Sequence, residues 1–323
     1  MPGCKRHAAL HGVSTVSKPV TNIAASVRQR LLNLARQRRE EFGLLLTRYA
    51  LERLLYRISR SEYRQTFILK GALLFDLWVD EAHRPTRDAD FLAHGESAPA
   101  RFETIFSELC TQPVEDDGLL FDPSTVQAIR IKEDADYEGV RVTFVGTLAN
   151  ARIPVQIDIG FGDAITPAPK ETAFPTLLDL PKPVLLTYPK ETVIAEKFEA
   201  MVKLAIANSR MKDFYDLQVL AATFDFESDL LLNAIERTFE RRQTPLPVEH
   251  SPLVFTPEFW QDEAKNRQWS AFITKNRLYV KPVSLEQVIS EIRGFLDPLL
   301  RQEHDGNRQS SVWRAGGAWV PKD

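Results

Sequence analysis

The sequence predicts an α+β fold, in which a small mixed β-sheet lies between an N-terminal helical arm and a helical C-terminal half. Three patterns support this prediction. Apolar residues recur at helical spacing over residues 22–58, β-branched residues alternate with polar ones over residues 126–159, and helical spacing returns from residue 190. A chain of 323 residues is also long enough to form more than one core.

Individual elements follow from the same periodicities. Strands are predicted at residues 67–69, 88–92, 126–132, 140–145 and 153–159. Helices are predicted at residues 72–78, 101–110, 191–207, 212–223, 229–241, 257–272 and 285–300, in addition to two helices within 22–58. Ser284 and Gln287 have the spacing of a capping box at the start of the last helix.

These elements divide the chain into five segments. They are a flexible N-terminus (1–20), a core with its N-terminal helices (21–166), a connection (167–189), a helical C-terminal domain (190–301) and a loose tail (302–323). The connection is rich in proline, which interrupts regular structure, so it is the predicted domain boundary. The tail has little to bury and is therefore expected to be loose.

The composition excludes several classes of protein. Hydrophobic residues make up 44% and charged residues 26%, as in ordinary globular proteins. No window has the roughly 20 unbroken apolar residues of a membrane span, and the polar start lacks the apolar core of a signal peptide. Cys4 and Cys110 are the two cysteines, which excludes a disulfide framework and a zinc site built on cysteine pairs. We therefore expect a cytoplasmic protein without a membrane partner.

The charge is unevenly distributed although the formal net charge is only −3. Residues 22–64 contain ten arginines, four glutamates and no lysine or aspartate, which leaves about +6. The simplest interpretation is a solvated helix face. Because guanidinium groups suit phosphate, a footprint for nucleic acid is the alternative, with Arg36, Arg38 and Arg39 as the candidate contacts. An acidic protein partner would fit the same charge.

Two aspartates, Asp88 and Asp90, lie two residues apart in a predicted strand. Side chains at i and i+2 of a strand point to the same face, so both carboxylates project together. At about 4 Å and an effective dielectric near 20 their repulsion is roughly 4 kcal/mol. Most such pairs are solvated loop carboxylates, but a pair held in a strand is typical of a site for Mg²⁺ or Mn²⁺.

A third acid, Asp158, lies between Ile157 and Ile159 in an apolar strand. A carboxylate in such a place is costly unless it is paired or bound to metal. Pairing with an arginine such as Arg152 is the structural interpretation. The functional interpretation is that Asp158 is a third metal ligand.

Three stretches of the chain follow one another in a specific order. They are residues 69–74 with 84–90, residues 156–163, and residues 188–197 with 209–217. A glycine at a strand–helix turn, Asp-x-Asp on the next strand and a third aspartate on a later strand resemble the polymerase-beta-like nucleotidyltransferase superfamily. The surrounding residues, which span 67–220, resemble its AbiEii/AbiGii-type toxin branch, which includes the MenT toxins.

This resemblance implies the transfer of a nucleoside monophosphate from an NTP to an RNA acceptor such as the tRNA 3′ end, with growth arrest as the outcome. It also implies a cognate antitoxin. The implied catalytic residues are Asp88, Asp90, Asp158, Lys197 and Asp213, of which the first three would hold Mg²⁺ or Mn²⁺. The implied nucleotide-binding residues are Lys70, Gly71, Ala72, Thr86, Lys197, Lys212 and Asp216.

Several alternatives stay open at this point. The superfamily usually has Gly-Gly or Gly-Ser at the turn, whereas this chain has Gly71-Ala72, so a non-catalytic binding module on the same fold is one alternative. Nucleotidylation of protein hydroxyls is another. Lys197 and Asp213 could form a structural salt bridge instead of a nucleotide site, and Asp216 could simply pair with Lys212.

Overall fold

The structure, a computed structural model, describes residues 22–79, 83–134, 137–276, 278, 283–304 and 309–322. The predicted flexible N-terminus, residues 1–20, lies outside this part of the chain and stays a prediction. The described chain opens with the two expected helices, α1 (Ile23–Arg38) and α2 (Phe42–Arg60). Helix α1 begins at Asn22, whose side chain accepts a hydrogen bond from the Ala25 amide at 2.9 Å.

The predicted mixed sheet is present and has seven strands in the order β3-β4-β5-β2-β1-β7-β6. Their bounds are β1 Phe67–Lys70, β2 Asp88–Ala93, β3 Leu119–Asp134, β4 Tyr137–Leu148, β5 Ala151–Phe161, β6 Lys170–Ala173 and β7 Val184–Thr187. Strand β2 pairs antiparallel with β1 and parallel with β5, and β1 pairs parallel with β7. The other neighbours are antiparallel, so the sheet is mixed as predicted.

One face of the sheet is covered and the other is open over β3 to β5. On β5 the apolar residues Ile153, Val155 and Ile157 are buried, whereas the alternating polar positions are more accessible. Helix α4 (Pro99–Cys110) contributes Phe102 and Phe106 to the core on the covered face. A short 3₁₀ turn (Ala72–Leu74) and helix α3 (Phe75–Trp78) follow β1 at the edge that carries the site.

The C-terminal half is mainly helical, as predicted. Its helices are α5 Lys190–Leu204, α6 Met211–Thr223, α7 Ser228–Arg241, α8 Pro257–Trp260, α9 Glu263–Lys275 and α10 Leu285–His304. Ser284 accepts a hydrogen bond from the Gln287 amide at 3.2 Å, which supports the predicted cap. The single helix predicted at 257–272 is two helices, α8 and α9. The Asp262 side chain accepts a hydrogen bond from the Lys265 amide and so caps the start of α9.

The proline-rich segment 167–189 is not a linker between separate domains. It contributes β6 and β7 to the edge of the main sheet, and its Phe174 and Leu185 are buried. One hydrophobic cluster runs from α1 through the sheet into α10. Strands β6 and β7 were not predicted from the sequence, because strands of four residues are too short to show an alternation among so many prolines.

The prediction of a loose tail is wrong for residues 309–322. Two strands, β9 (Ser311–Trp313) and β10 (Trp319–Pro321), join β8 (Phe226–Glu227) in a second antiparallel sheet. Trp313 is 6% exposed and donates from its indole nitrogen to the Ala221 carbonyl at 2.7 Å. The Trp319 ring stacks on Phe295 at 5.8 Å. Two tryptophans therefore anchor a segment that is otherwise polar.

Trp313→Ala should lower the free energy of unfolding by about 3–5 kcal/mol, because it empties a buried site and removes the hydrogen bond of the indole to the Ala221 carbonyl. Chemical denaturation measures this change. Lys322→Ala is the control, since its ion pair with Glu227 is exposed and should contribute little. Equal stabilities for the two variants would mean that the tail does not pack.

Candidate active site

Charged side chains form a row across four neighbouring strands of the main sheet. The pairing register sets Lys70 on β1 opposite Asp90 on β2, Asp90 opposite Asp158 on β5, and Asp158 opposite Arg141 on β4. Residues opposite one another in register project to the same face. The row therefore brings two of the predicted metal ligands together with two cations.

A cleft of about 420 Å³ lies at this row, between the sheet and helices α5 and α6. Seven cationic and five anionic side chains line it. The cations are Lys70, Arg84, Arg141, Lys197, Arg210, Lys212 and Arg242, and the anions are Asp88, Asp90, Asp158, Glu196 and Asp213. The cationic groups on the cleft wall suit a polyanionic ligand that arrives with a metal ion.

The turn after β1 requires glycine at position 71. Its backbone has φ 76° and ψ −154°, and a Cβ there would lie 2.7 Å from Cγ of Asp90 and closer still to Oδ2. Ala72 starts the 3₁₀ turn and is not among the described residues with positive φ. Alanine therefore fits the backbone at position 72, and what the turn lacks is the hydroxyl of serine.

The carboxylates of Asp88 and Asp90 share the cleft in different environments. Asp88 accepts a hydrogen bond from Oγ1 of Thr86 at 2.7 Å. Burial, together with the charge of Asp88, raises the pKa of Asp90 to about 7, although Lys70 and Lys212 oppose the shift. At neutral pH the pair therefore favours an added proton or cation. Oxygen donors crowded in this way fit a hard divalent ion such as Mg²⁺.

Asp158 lies beside Asp90 but is bound by Arg141. Nε and Nη2 of Arg141 donate to Oδ1 and Oδ2 of Asp158, each at 2.8 Å. Pairing with an arginine, the structural interpretation, is therefore present. The arginine is Arg141 and not the suggested Arg152, which pairs in register with Thr147, far along the strand. Within the described ranges, no group of three metal-ligating side chains is arranged around one point. Asp88 and Asp90 therefore fit a metal directly, whereas Asp158 has another partner.

Lys197 and Asp213 meet between α5 and α6 and line the cleft, as the sequence motif suggested. Nζ of Lys197 lies 2.6 Å from Oδ1 of Asp213 and 2.8 Å from Oδ2 of Asp216. The structural salt bridge is thus present, and it lies in the wall of the cleft. The nucleotide-binding role of Lys197 stays a prediction.

Asp216 has no exposed surface and is surrounded by cationic and polar groups. Arg84 donates to it from Nε at 2.8 Å and from Nη2 at 2.9 Å, and Nε2 of His83 lies 2.8 Å away. Burial favours the neutral acid, but Arg84 and Lys197 outweigh it and hold the pKa of Asp216 well below its usual range. Asp216 does not line the cleft itself, and its partners Lys197 and Arg84 do.

The sequence analysis did not single out His83, Arg84 or Arg242 as site residues. The His83 ring stacks between Phe75 at 3.9 Å and Tyr215 at 4.7 Å, and so fixes the segment that leads to Asp88. Arg84 begins the stretch 84–90 that contributes to the family resemblance. Its position four residues before Asp88 is the feature of the sequence that could have indicated a role in the site.

A second buried network holds Lys70 from the side of α7. Nζ of Lys70 lies 3.1 Å from Asp163, which also accepts from Arg242 at 3.0 Å. Arg242 reaches Glu199 at 2.9 Å as well. No pattern in the sequence indicates these contacts, which depend on how α7 packs against the sheet.

Comparison with known proteins decides the family. A family model described as "Nucleotidyl transferase AbiEii toxin, Type IV TA system" matches residues 53–291, which include every residue lining the cleft. The chain belongs to this family. The AbiEii-family protein is accordingly a nucleotidyltransferase of a toxin–antitoxin system, with an NTP as substrate and an antitoxin as partner.

Two solved structures from Helicobacter pylori resemble the AbiEii-family protein. One is described as a candidate nucleotidyltransferase, with 14% identity, 81% of this chain and 95% of that chain covered, and a TM-score of 0.45. The other, JHP933, has 13% identity, coverage of 82% and 93%, and a TM-score of 0.44. A search of the curated proteins finds no match. Among the described residues, no helix combines the length and hydropathy needed to cross a membrane.

The N-terminal arm of the AbiEii-family protein carries exposed arginines outside the cleft. Arg36, Arg38 and Arg39 are all exposed, and none lines the cleft. Arg53 and Arg57 are instead buried, and each pairs with a carboxylate at 2.8 Å. The charge that the arm can offer to a partner is therefore smaller than the sequence count suggested.

Asp216→Asn should lower the free energy of unfolding by about 3–5 kcal/mol, because it leaves buried Arg84 and Lys197 without their common anion. Asp213→Asn should cost clearly less, since Lys197 keeps Asp216. Denaturant titration of both variants at pH 7 measures the difference. An equal loss of stability in the two variants would contradict the central place of Asp216.

Proposed function

We propose that the protein transfers a nucleoside monophosphate from an NTP to the 3′ end of tRNA, with Mg²⁺ or Mn²⁺ as cofactor. The observation that carries the proposal is the position of Asp88 and Asp90. Both carboxylates face a cleft rich in cations, directly beside the glycine turn at Gly71. The carboxylates suit a hard cation and the cations suit a triphosphate.

Asp88 and Asp90 would hold the metal ion, and Asp158 would join them once it is free. A divalent cation bound there would neutralise phosphate charge and polarise the phosphorus that is attacked. Asp158 would accept the proton of the acceptor hydroxyl, whose oxygen would then bond to the α-phosphorus. Pyrophosphate leaves with the electron pair of the broken bond.

The cationic side of the cleft would bind the triphosphate. Lys197 and Lys212 both line the cleft from the helical half, and Lys70 lines it from the end of β1. The backbone amides at Gly71 and Ala72 and the Thr86 hydroxyl would contribute neutral donors. Asp213 and Asp216 would act by holding Lys197 in place.

The proposed reaction would account for growth arrest by the toxin. An added nucleotide would block the use of the tRNA 3′ end in translation, so growth would stop while the toxin is active in the cytoplasm. The antitoxin would prevent this outcome. The exposed arginines Arg36, Arg38 and Arg39 would bind the phosphates of the tRNA body, away from the metal site.

Asp88→Asn should abolish transfer, by roughly a thousandfold or more, because the metal ion loses a charged ligand. The assay incubates the purified protein with each α-labelled NTP, Mg²⁺, and either total tRNA or total protein. Asp90→Asn should also be inactive, without loss of stability, since burial already disfavours the charge of Asp90. Asp122→Asn, an exposed change on the same sheet, should remain active.

Two outcomes of this assay would contradict the proposal. Label that appears on protein and not on tRNA would assign protein hydroxyls as acceptors. Near-wild-type transfer by Asp88→Asn at saturating NTP would show that the metal site is elsewhere.

Reversing Arg36, Arg38 and Arg39 to glutamate should weaken tRNA binding and leave NTP binding unchanged. Each phosphate contact releases counterions, so the slope of log affinity against log salt should also fall by roughly 2. Filter binding at several salt concentrations measures both effects. Reversal of Arg267 and Arg301, exposed arginines on α9 and α10, is the control.

A triple variant that binds and modifies tRNA normally, but escapes inhibition by its antitoxin, would make the arm an antitoxin surface. The RNA path would then have to lie elsewhere.

A further inference from the structure

The ion pair of Arg141 with Asp158 competes with the proposed chemistry. Arg141 occupies both oxygens of Asp158 with hydrogen bonds of 2.8 Å. The guanidinium takes one acceptor site on each oxygen and neutralises the charge of the carboxylate, so it competes with a cation or a proton for Asp158. Asp158 would therefore be a better metal ligand and a better base after this contact has opened.

The two partners differ in their freedom to move. The Asp158 side chain is 11% exposed, whereas Arg141 is 37% exposed and lines the cleft. The residue opposite Arg141 on the edge strand β3 is Ile129, which is itself largely exposed. A guanidinium on a long side chain at an open sheet face can reorient, while the buried carboxylate stays in place.

The electrostatics of the row favour this contact. Asp90 and Asp158 are direct neighbours in register, and Arg141 also lies in the field of Asp88 and Asp90. Arg141 thus offsets part of the negative charge of three carboxylates. A bound divalent cation would offset that charge instead and would repel the guanidinium.

We infer that Arg141 is a phosphate-binding residue of the nucleotide site and that Asp158 is its resting partner. On loading, the guanidinium passes from the carboxylate to the triphosphate, and Asp158 becomes free for the metal ion and the acceptor. A guanidinium fits both anions because its paired donors match carboxylate and phosphate oxygens alike. This inference rests on the proposed function and adds a residue that the sequence motifs do not contain.

The exchange predicts opposite changes in the affinities for metal and phosphate. In Arg141→Gln, Mn²⁺ should bind roughly tenfold more tightly without nucleotide, because the site loses a cation that repels the ion and competes for Asp158. Inorganic tripolyphosphate, which is common to all NTPs, should bind several-fold more weakly in EDTA. Electron paramagnetic resonance measures free Mn²⁺, and calorimetry measures tripolyphosphate binding. Arg152→Gln, on the same face of β5, is the matched control and should change neither affinity.

Arg141→Lys separates the exchange from a loss of folding, because it keeps the charge but cannot reach both oxygens of Asp158 at once. It should show a smaller gain in Mn²⁺ affinity and a smaller loss of tripolyphosphate affinity. Unchanged or weaker Mn²⁺ binding in folded Arg141→Gln, or in Arg141→Lys if the first variant does not fold, would overturn the inference. Unchanged tripolyphosphate binding would overturn it as well.

Asp88→Asn distinguishes this failure from failure of the proposed function. If wild-type Mn²⁺ binding depends on Asp88 but does not respond to Arg141, only the exchange is wrong. If Mn²⁺ binding does not depend on Asp88, the proposed metal site is wrong, and the exchange of Arg141 is then wrong as well.

Discussion

The register of strand β2 between β1 and β5 is the constraint on which the site depends. It sets Asp90 between Lys70 and Asp158, and it keeps Asp88 on the same face. The opposite face of β2 carries Ala89 and Phe91, which are fully buried. A slip of one residue would bury both carboxylates and expose Phe91, so the hydrophobic core enforces the geometry of the charges.

The helical half of the molecule completes the site through Asp216. This one buried carboxylate joins Lys197 on α5, its own helix α6, and the segment of His83 and Arg84 that leads into β2. An ion cluster of this kind gives little net stability, but removing one member leaves the others unpaired. The helices therefore act as one wall of the cleft, and a single hydrophobic cluster spans sheet and helices.

The sequence predicted the parts of the site that depend on local pattern. The carboxylates of Asp88 and Asp90 and the glycine turn follow from alternation and spacing within about twenty residues. The partners of Asp158 and Asp216 could not be predicted, because Arg141 and Arg84 are 17 and 132 residues away and are brought near by hairpin register and helix packing. Arg152 is closer in sequence but lies at the wrong end of the strand. The prediction of a loose tail failed because it rested on the mostly polar composition of the segment, whereas Trp313 and Trp319 are enough to anchor it.

Crystals grown with Mn²⁺ and non-hydrolysable NTPs test the central claim most directly, since anomalous scattering locates manganese without reference to any model of the chemistry. The account predicts an anomalous peak bound by Asp88 and Asp90, with the triphosphate in the cleft near Lys197 and with Asp158 no longer bound to Arg141. Manganese bound elsewhere in a crystal that contains the nucleotide would contradict it.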